Sequence, residues 1–212
     1  MVQYFLDGGI FMYPILALLI FGLGFGLERL FTLFRASVNT RKFMKEIRGA
    51  LREGGYKDAV DVCSKTRGPV AEILHAGLSR VDRGIDAVEK GIENAGAIEM
   101  AFLEKNMVWL STVVTLAPML GFTGTVFGMI RAFDDIKQAN DISPSIVAGG
   151  ISIALLTTLF GLIVAVIIQI FQNFLISRVD KLIIDMEENS VLLIDELVEL
   201  EQEGKLKASI KS

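Results

Sequence analysis

Two threonines, Thr125 and Thr158, are the polar side chains whose placement sets them apart. Each sits centrally in a stripe of small residues. Ala117, Gly121, Gly124, Thr125, Gly128 and Ala132 share one helical face, and Gly150, Ala154, Thr157, Thr158, Gly161 and Ala165 share another. Such faces let helix backbones approach closely in lipid. If the two faces meet or line a lumen, these two hydroxyls look inward, each with one donor and two acceptor lone pairs. Thr112, Thr115, Thr123 and Thr157 read instead as packing residues whose hydroxyls bond back to the preceding turn. Pro118 is expected to kink its helix one to two turns before Thr125, a distortion that neighbouring helices compensate in a membrane. Neither stretch holds an ionisable side chain, the usual mark of an ion path through lipid. Either the chain moves no ions, or a partner supplies the carboxylate and this chain a sleeve of small residues and hydroxyls.

The elements that must position these groups are defined by where charge is missing. No Asp, Glu, Lys, Arg or His falls in 8–27, 106–130 or 142–177, although 22% of the 212 residues are charged and the mean hydropathy is +0.52. A bilayer core takes roughly 20 apolar residues of helix, so each run is long enough to span. No alternating β pattern occurs. The expected fold is all-α: a polytopic membrane protein with three transmembrane helices, whose long helices extend into a cytoplasmic helical domain.

Several other chemistries are excluded. The single cysteine, Cys63, and the single histidine, His75, leave no disulfide framework, no CxxC site and no paired-His zinc site. A net charge of −4 without a basic block argues against a nucleic-acid partner. Gly22, Gly24 and Gly26 form a GxGxG inside an apolar run with no preceding strand, so it is not a dinucleotide fingerprint. Gly121–Gly128 is glycine-rich but lacks the Lys of a phosphate loop. No metal, cofactor or catalytic constellation is expected, and no enzyme.

Lys and Arg are unevenly spread. Residues 1–7 carry none, Glu28–Lys105 carries fourteen, and Arg131–Asp141 has only Arg131 and Lys137 against three Asp. The positive-inside rule then predicts an external N-terminus at 1–7 and a first transmembrane helix at 8–34. A cytoplasmic helical domain follows at 35–105, then a second span at 106–130 and an external hairpin at 131–141. The third span occupies 142–177, and a cytoplasmic helical tail 178–212. The N-terminus lacks a basic n-region and a small-residue cleavage site, so the first run reads as a retained helix.

Within 35–105, Gly54-Gly55 breaks a helix that begins near Asn39, and Gly68-Pro69 breaks the next, with Pro69 suited to a helix start. From Ile85 the apolar positions continue toward the second span without a breaker. Nothing between Ile146 and Glu203 stops a helix, which predicts one element about 87 Å long. Its last part carries a heptad seam of Ile183, Met186, Ser190, Leu193, Leu197 and Leu200. The seam packs on the chain's own cytoplasmic helices, on a neighbouring subunit, or on both.

Four stretches carry a family likeness. Gly-Gly-Ile-Phe-Met-Tyr-Pro-Ile-Leu at 8–16 followed by Glu28-Arg29, and Gly-Pro-Val-Ala at 68–71 with Ala-Gly-Leu at 76–78, resemble the opening and cytoplasmic signatures of the TolQ/ExbB/MotA family of ion-driven motor subunits. Ala-Pro-Met-Leu-Gly-Phe-Thr-Gly-Thr-Val-Phe-Gly-Met-Ile at 117–130 is similar to its most specific motif, and Gly-Gly-Ile-Ser-Ile-Ala-Leu-Leu-Thr-Thr-Leu-Phe-Gly-Leu at 149–162 to its third-helix motif. The likeness runs from about residue 8 to about 175 and favours the ExbB branch over TolQ, with the four-span MotA farthest.

The resemblance implies a homopentamer in the bacterial inner membrane, around a pore holding two copies of a one-span ExbD/TolR-like partner. That partner carries an intramembrane Asp. Ion flow would turn ring and partner relative to one another and drive a TonB-like protein. Position by position, the family's pore threonines fall on Thr125 and Thr158. Many ExbB and TolQ proteins have Glu where this chain has Ile153, which leaves the partner's Asp as the obvious titratable group, with proton or sodium as the coupling ion. Rival readings are a TolQ-like envelope-maintenance subunit, a gliding or other surface motor, and a structural membrane scaffold that conducts nothing.

Overall fold

The computed structural model describes residues 2–36, 39–139 and 144–203. Parts of the expected hairpin and third span (140–143) and the end of the tail (204–212) lie outside the described residues, as do residues 1 and 37–38. The helices are α1 (Val2–Asp7), α2 (Met12–Ala36), α3 (Thr40–Glu53), α4 (Tyr56–Lys65), α5 (Pro69–Leu78), α6 (Ile85–Glu104), α7 (Met107–Ala139) and α8 (Pro144–Gln202), with a 3-10 turn at Val81–Arg83. Among the described residues there is no strand, so the fold is all-α as expected. Three helical stretches, containing α2, α7 and α8, are long and apolar enough to cross a membrane.

The 59-residue α8 is the uninterrupted helix that the lack of breakers predicts. The helix from Ile85 runs without a breaker to Glu104, and Asn106 takes a φ of 65° before α7 starts. Asn tolerates this left-handed conformation better than most residues, and its Nδ2 donates to Glu28 Oε2 at 3.3 Å. Helicity also continues through Arg131–Ala139, well into the segment assigned to the external hairpin.

The chain divides into two compact units, Met1–Leu30 with Asn106–Leu175, and Phe31–Lys105 with Ile176–Ser212. In the first, Met12, Ile15, Gly22, Gly26 and Arg29 form a buried stripe along α2. A Cβ on Gly22 would lie 2.9 Å from Ile168 Cδ1 and 3.3 Å from Val113 Cγ1, and Gly26 faces Phe171. Two glycines of the GxGxG therefore seat α2 against α7 and α8, whereas a Cβ on Gly24 would meet nothing within 4 Å. Phe21, Phe25 and Trp109 cluster at 4.6–6.2 Å between ring centres. Outside these contacts, Ile20, Phe122, Leu155, Val166 and Ile170 are exposed. A soluble surface would not tolerate so much exposed apolar side chain; a lipid-facing one requires it.

In the second unit, α3 buries Phe43, Met44, Ile47 and Leu51, and α5 buries seven of its ten residues. Asn39 caps α3, its Oδ1 accepting from Lys42 N at 3.3 Å. Gly55 (φ 87°) and Gly68 (φ 128°) supply the backbone turns before α4 and α5 that other residues would adopt only with strain. Met186, Ser190, Leu193, Leu197 and Leu200 of the seam are buried within the chain itself, while Leu182 rather than Ile183 takes the first place. Beside them Glu196, 5% exposed, pairs with Arg48 at 3.4 Å and with Arg52 at 2.6 Å. The bonded Glu196 carboxylate raises the Arg52 pKa above its ordinary value. Packing on the chain's own helices accounts for the seam.

Candidate functional site

The two small-residue faces meet each other. α7 and α8 run antiparallel, with Ala117 and Gly121 opposite Gly161, Gly124 opposite Thr157, and Gly128 and Ala132 opposite Ala154 and Gly150. The approach is at backbone distance: a Cβ on Gly121 would stand 2.9 Å from the Thr157 carbonyl oxygen, and one on Gly128 would stand 2.9 Å from Ala154 N. Ala165, four residues beyond Gly161 on α8, is buried as well. Pro118 lies inside α7, which continues through it to Ala139.

The centre of this contact is not where the sequence suggests. Thr157 is 0% exposed and packs on Gly124, while Thr125 and Thr158 lie half-buried at the flank. Neighbouring residues on a helix diverge by about 100°, so 157 and 158 cannot both face α7, nor 124 and 125 both face α8. The adjacent residue takes the flank.

At that flank the hydroxyls of Thr125 and Thr158 hydrogen-bond to each other. Thr125 Oγ1 also reaches the carbonyls of Ala154 at 2.9 Å and Gly121 at 3.3 Å, and Thr158 Oγ1 reaches the Gly121 carbonyl at 3.2 Å. Each hydroxyl has one proton to donate. The network can therefore run from Thr158 through Thr125 to the Ala154 carbonyl, or from Thr125 through Thr158 to the Gly121 carbonyl. Rotating two hydroxyls reverses its direction without moving a helix. That is what a group handing on a proton or coordinating a passing ion needs.

The other hydroxyls behave as packing residues. Thr112, Thr115 and Thr123 donate to Val108, Ser111 and Met119 carbonyls at 2.8–3.0 Å, and Thr157 donates to those of Ile153 and Ala154 at 3.1 and 2.9 Å. Ile153 is half-buried, and a Cβ on Gly9 would lie 3.6 Å from its Cγ2. An apolar side chain thus stands one helical turn from Thr157.

Sequence reasoning missed two polar positions. Gln172, 8% exposed, donates from Nε2 to Ser111 Oγ at 2.6 Å, tying α8 to α7 a second time. Arg29, 1% exposed, lies on the buried stripe of α2 rather than in the solvated basic cluster that its neighbours suggest. The 3-4 spacing from Gly22 through Gly26 to Arg29 is the signal that could have found it. Cys63 is 2% exposed, and burial pushes its thiol pKa up to about 12, which leaves a packed, unreactive thiol.

An all-helical chain with three membrane-length apolar stretches and a hydroxyl pair on a glycine-rich helix contact defines a polytopic membrane protein. Residues 65–188 match the model of the MotA/TolQ/ExbB proton channel family, and the chain belongs to that family. It is 31% identical over 180 residues to a biopolymer transport protein ExbB homolog of Methanothermobacter thermautotrophicus, an alignment covering 84% of this chain and 64% of that one. It is 34% identical over 85 residues to the biopolymer transport protein ExbB of Aquifex aeolicus, covering 40% of this chain and 57% of that one. It is 31% identical over 125 residues to the Tol-Pal system protein TolQ of Pseudomonas aeruginosa, covering 54% of each. The family is one of proton channels rather than enzymes.

Proposed function

We propose that this chain is the ring-forming stator and ion-channel subunit of an inner-membrane motor, with its N-terminus outside and its C-terminus in the cytoplasm. Five copies surround a one-span ExbD/TolR-like partner. The partner's intramembrane Asp passes Thr125 and Thr158 as a proton or sodium ion moves down its gradient. The resulting motion drives a TonB-like protein and, through it, outer-membrane transport. The observation that carries this reading is the hydroxyl pair of Thr125 and Thr158, half-buried at the flank of the α7–α8 contact in spans with no ionisable residue of their own. A hydroxyl bonds a carboxyl in either protonation state, so the pair suits a partner Asp that loads and unloads. Similarity to ExbB and TolQ relatives supports the same assignment.

Thr→Val keeps the shape and removes only the hydroxyl. Interhelical hydrogen bonds in membranes average near 0.6 kcal/mol and seldom exceed about 2, so a Thr125→Val/Thr158→Val ring is expected to assemble. Its energised uptake is expected to collapse, while Thr112→Val behaves as wild type. Normal uptake by the double variant at normal protein levels would reduce the hydroxyls to packing and sink the channel reading.

A further inference from the structure

The threonine pair is not the only polar contact across α7 and α8. From Thr125 back to Ser111, and from Thr158 on to Gln172, is the same count of fourteen residues, and Gln172 Nε2 donates to Ser111 Oγ at 2.6 Å. Fourteen residues is close to four helical turns, so this second contact lies about 21 Å along the helices and within about 40° of the same flank. Gln169 and Asn173 add a further amide pair at 2.8 Å beside it. Midway between the two contacts lie Pro118 on α7 and Ala165 on α8. Proline has no N–H to give the carbonyl four residues earlier, so Val114 offers a backbone acceptor in the gap, and Ala165 is small.

As mere adhesive the Ser111–Gln172 bond is a poor device. An amide in a span costs desolvation, and such bonds return only about 0.6 kcal/mol of association. What the contact supplies instead is a hydroxyl and an amide in register with the threonine pair. We infer that Ser111 and Gln172 form a second polar station on the ion path through this chain, carrying water and a proton or a hard cation between the threonine pair and the level at which α7 begins. This rests on the channel reading above.

The test uses the complex: this chain co-expressed and co-purified with a one-span subunit carrying an intramembrane Asp, in liposomes under imposed proton or sodium gradients. Gln172→Leu is expected to assemble and to lower flux about tenfold, the rate equivalent of about 1.4 kcal/mol. Ser111→Ala is expected to lower flux less, and Ser111→Thr, which keeps the hydroxyl, to restore it. Gln172→Glu places a titratable group at the station, so flux is expected to gain a step in its pH profile that the wild type lacks. A residue that only packs would produce no such step. If Gln172→Leu rings fail to assemble, Ser111→Ala and Gln172→Glu decide. Wild-type flux in Ser111→Ala together with an unchanged pH profile in Gln172→Glu would overturn the second station. If Thr125→Val/Thr158→Val complexes also conduct normally, the channel reading falls with it; if they are blocked, only the station is lost.

Discussion

Adding one methyl group to Gly161 tests how the site is built. A Cβ there would lie 2.6 Å from the Ala117 carbonyl oxygen, 3.1 Å from Gly121 Cα and 3.3 Å from Gly121 N. All three are backbone atoms, which cannot swing aside as a side-chain tip could. Ordinary contact begins near 3.4 Å, so Gly161→Ala must open the α7–α8 contact locally by about 0.8 Å. The bonds that cross the contact, such as Thr158 to the Gly121 carbonyl at 3.2 Å and Thr125 to the Ala154 carbonyl at 2.9 Å, would then stretch past useful length. Overpacking of this kind costs about 1–3 kcal/mol, against about 0.5–1 kcal/mol gained by replacing a helical glycine with alanine. Gly24→Ala is the matched control: its Cβ meets nothing within 4 Å, so it keeps the helix gain alone. Thermal unfolding of the purified protein in mild detergent, followed by loss of the size-exclusion peak, should place Gly161→Ala about 2–8 °C below wild type. Gly24→Ala should melt at or above wild type. Equal melting of the two variants would refute the close approach of α7 and α8.

The second unit offers two further tests. Cys63 in the folded chain should resist maleimide at pH 8 and react at once in denaturant, and rapid labelling of native protein would show that the thiol is not packed. Its proton is held to about pH 12 when folded but lost near 9.0 when the chain opens, so this contribution to stability is whole below pH 9 and lost as the pH rises toward 12. Urea titrations of wild type and Cys63→Ala across that range measure it. Glu196→Gln leaves Arg48 and Arg52 without their shared carboxylate and should lower the melting temperature, whereas Glu199→Gln, at an exposed carboxylate, should change it little. Equal shifts from the two would show that burial of Glu196 is unimportant.

Charge placement and the absence of an alternating pattern determined the helical membrane class, because in lipid only helices and closed barrels satisfy their own backbone. Local rules also determined the helix starts at Thr40 and Pro69, the unbroken α8, and the back-bonded roles of Thr112, Thr115 and Thr123. The break at Asn106 was illegible, since its positive φ goes with a hydrogen bond to Glu28, distant in sequence. Periodicity put Thr157 and Thr158 on one face, gave Thr158 its centre and left Thr157 as packing. Only the antiparallel packing of α7 on α8 decided that Thr157 fills the centre and that Thr125 and Thr158 pair at the flank. The same holds for Ser111 and Gln172, which carry no motif of their own. A sequence fixes which residues share a helix face, to within the width of that face. Which edge of the face meets a neighbour depends on crossing and register, and those come from the fit of two surfaces that no single helix contains.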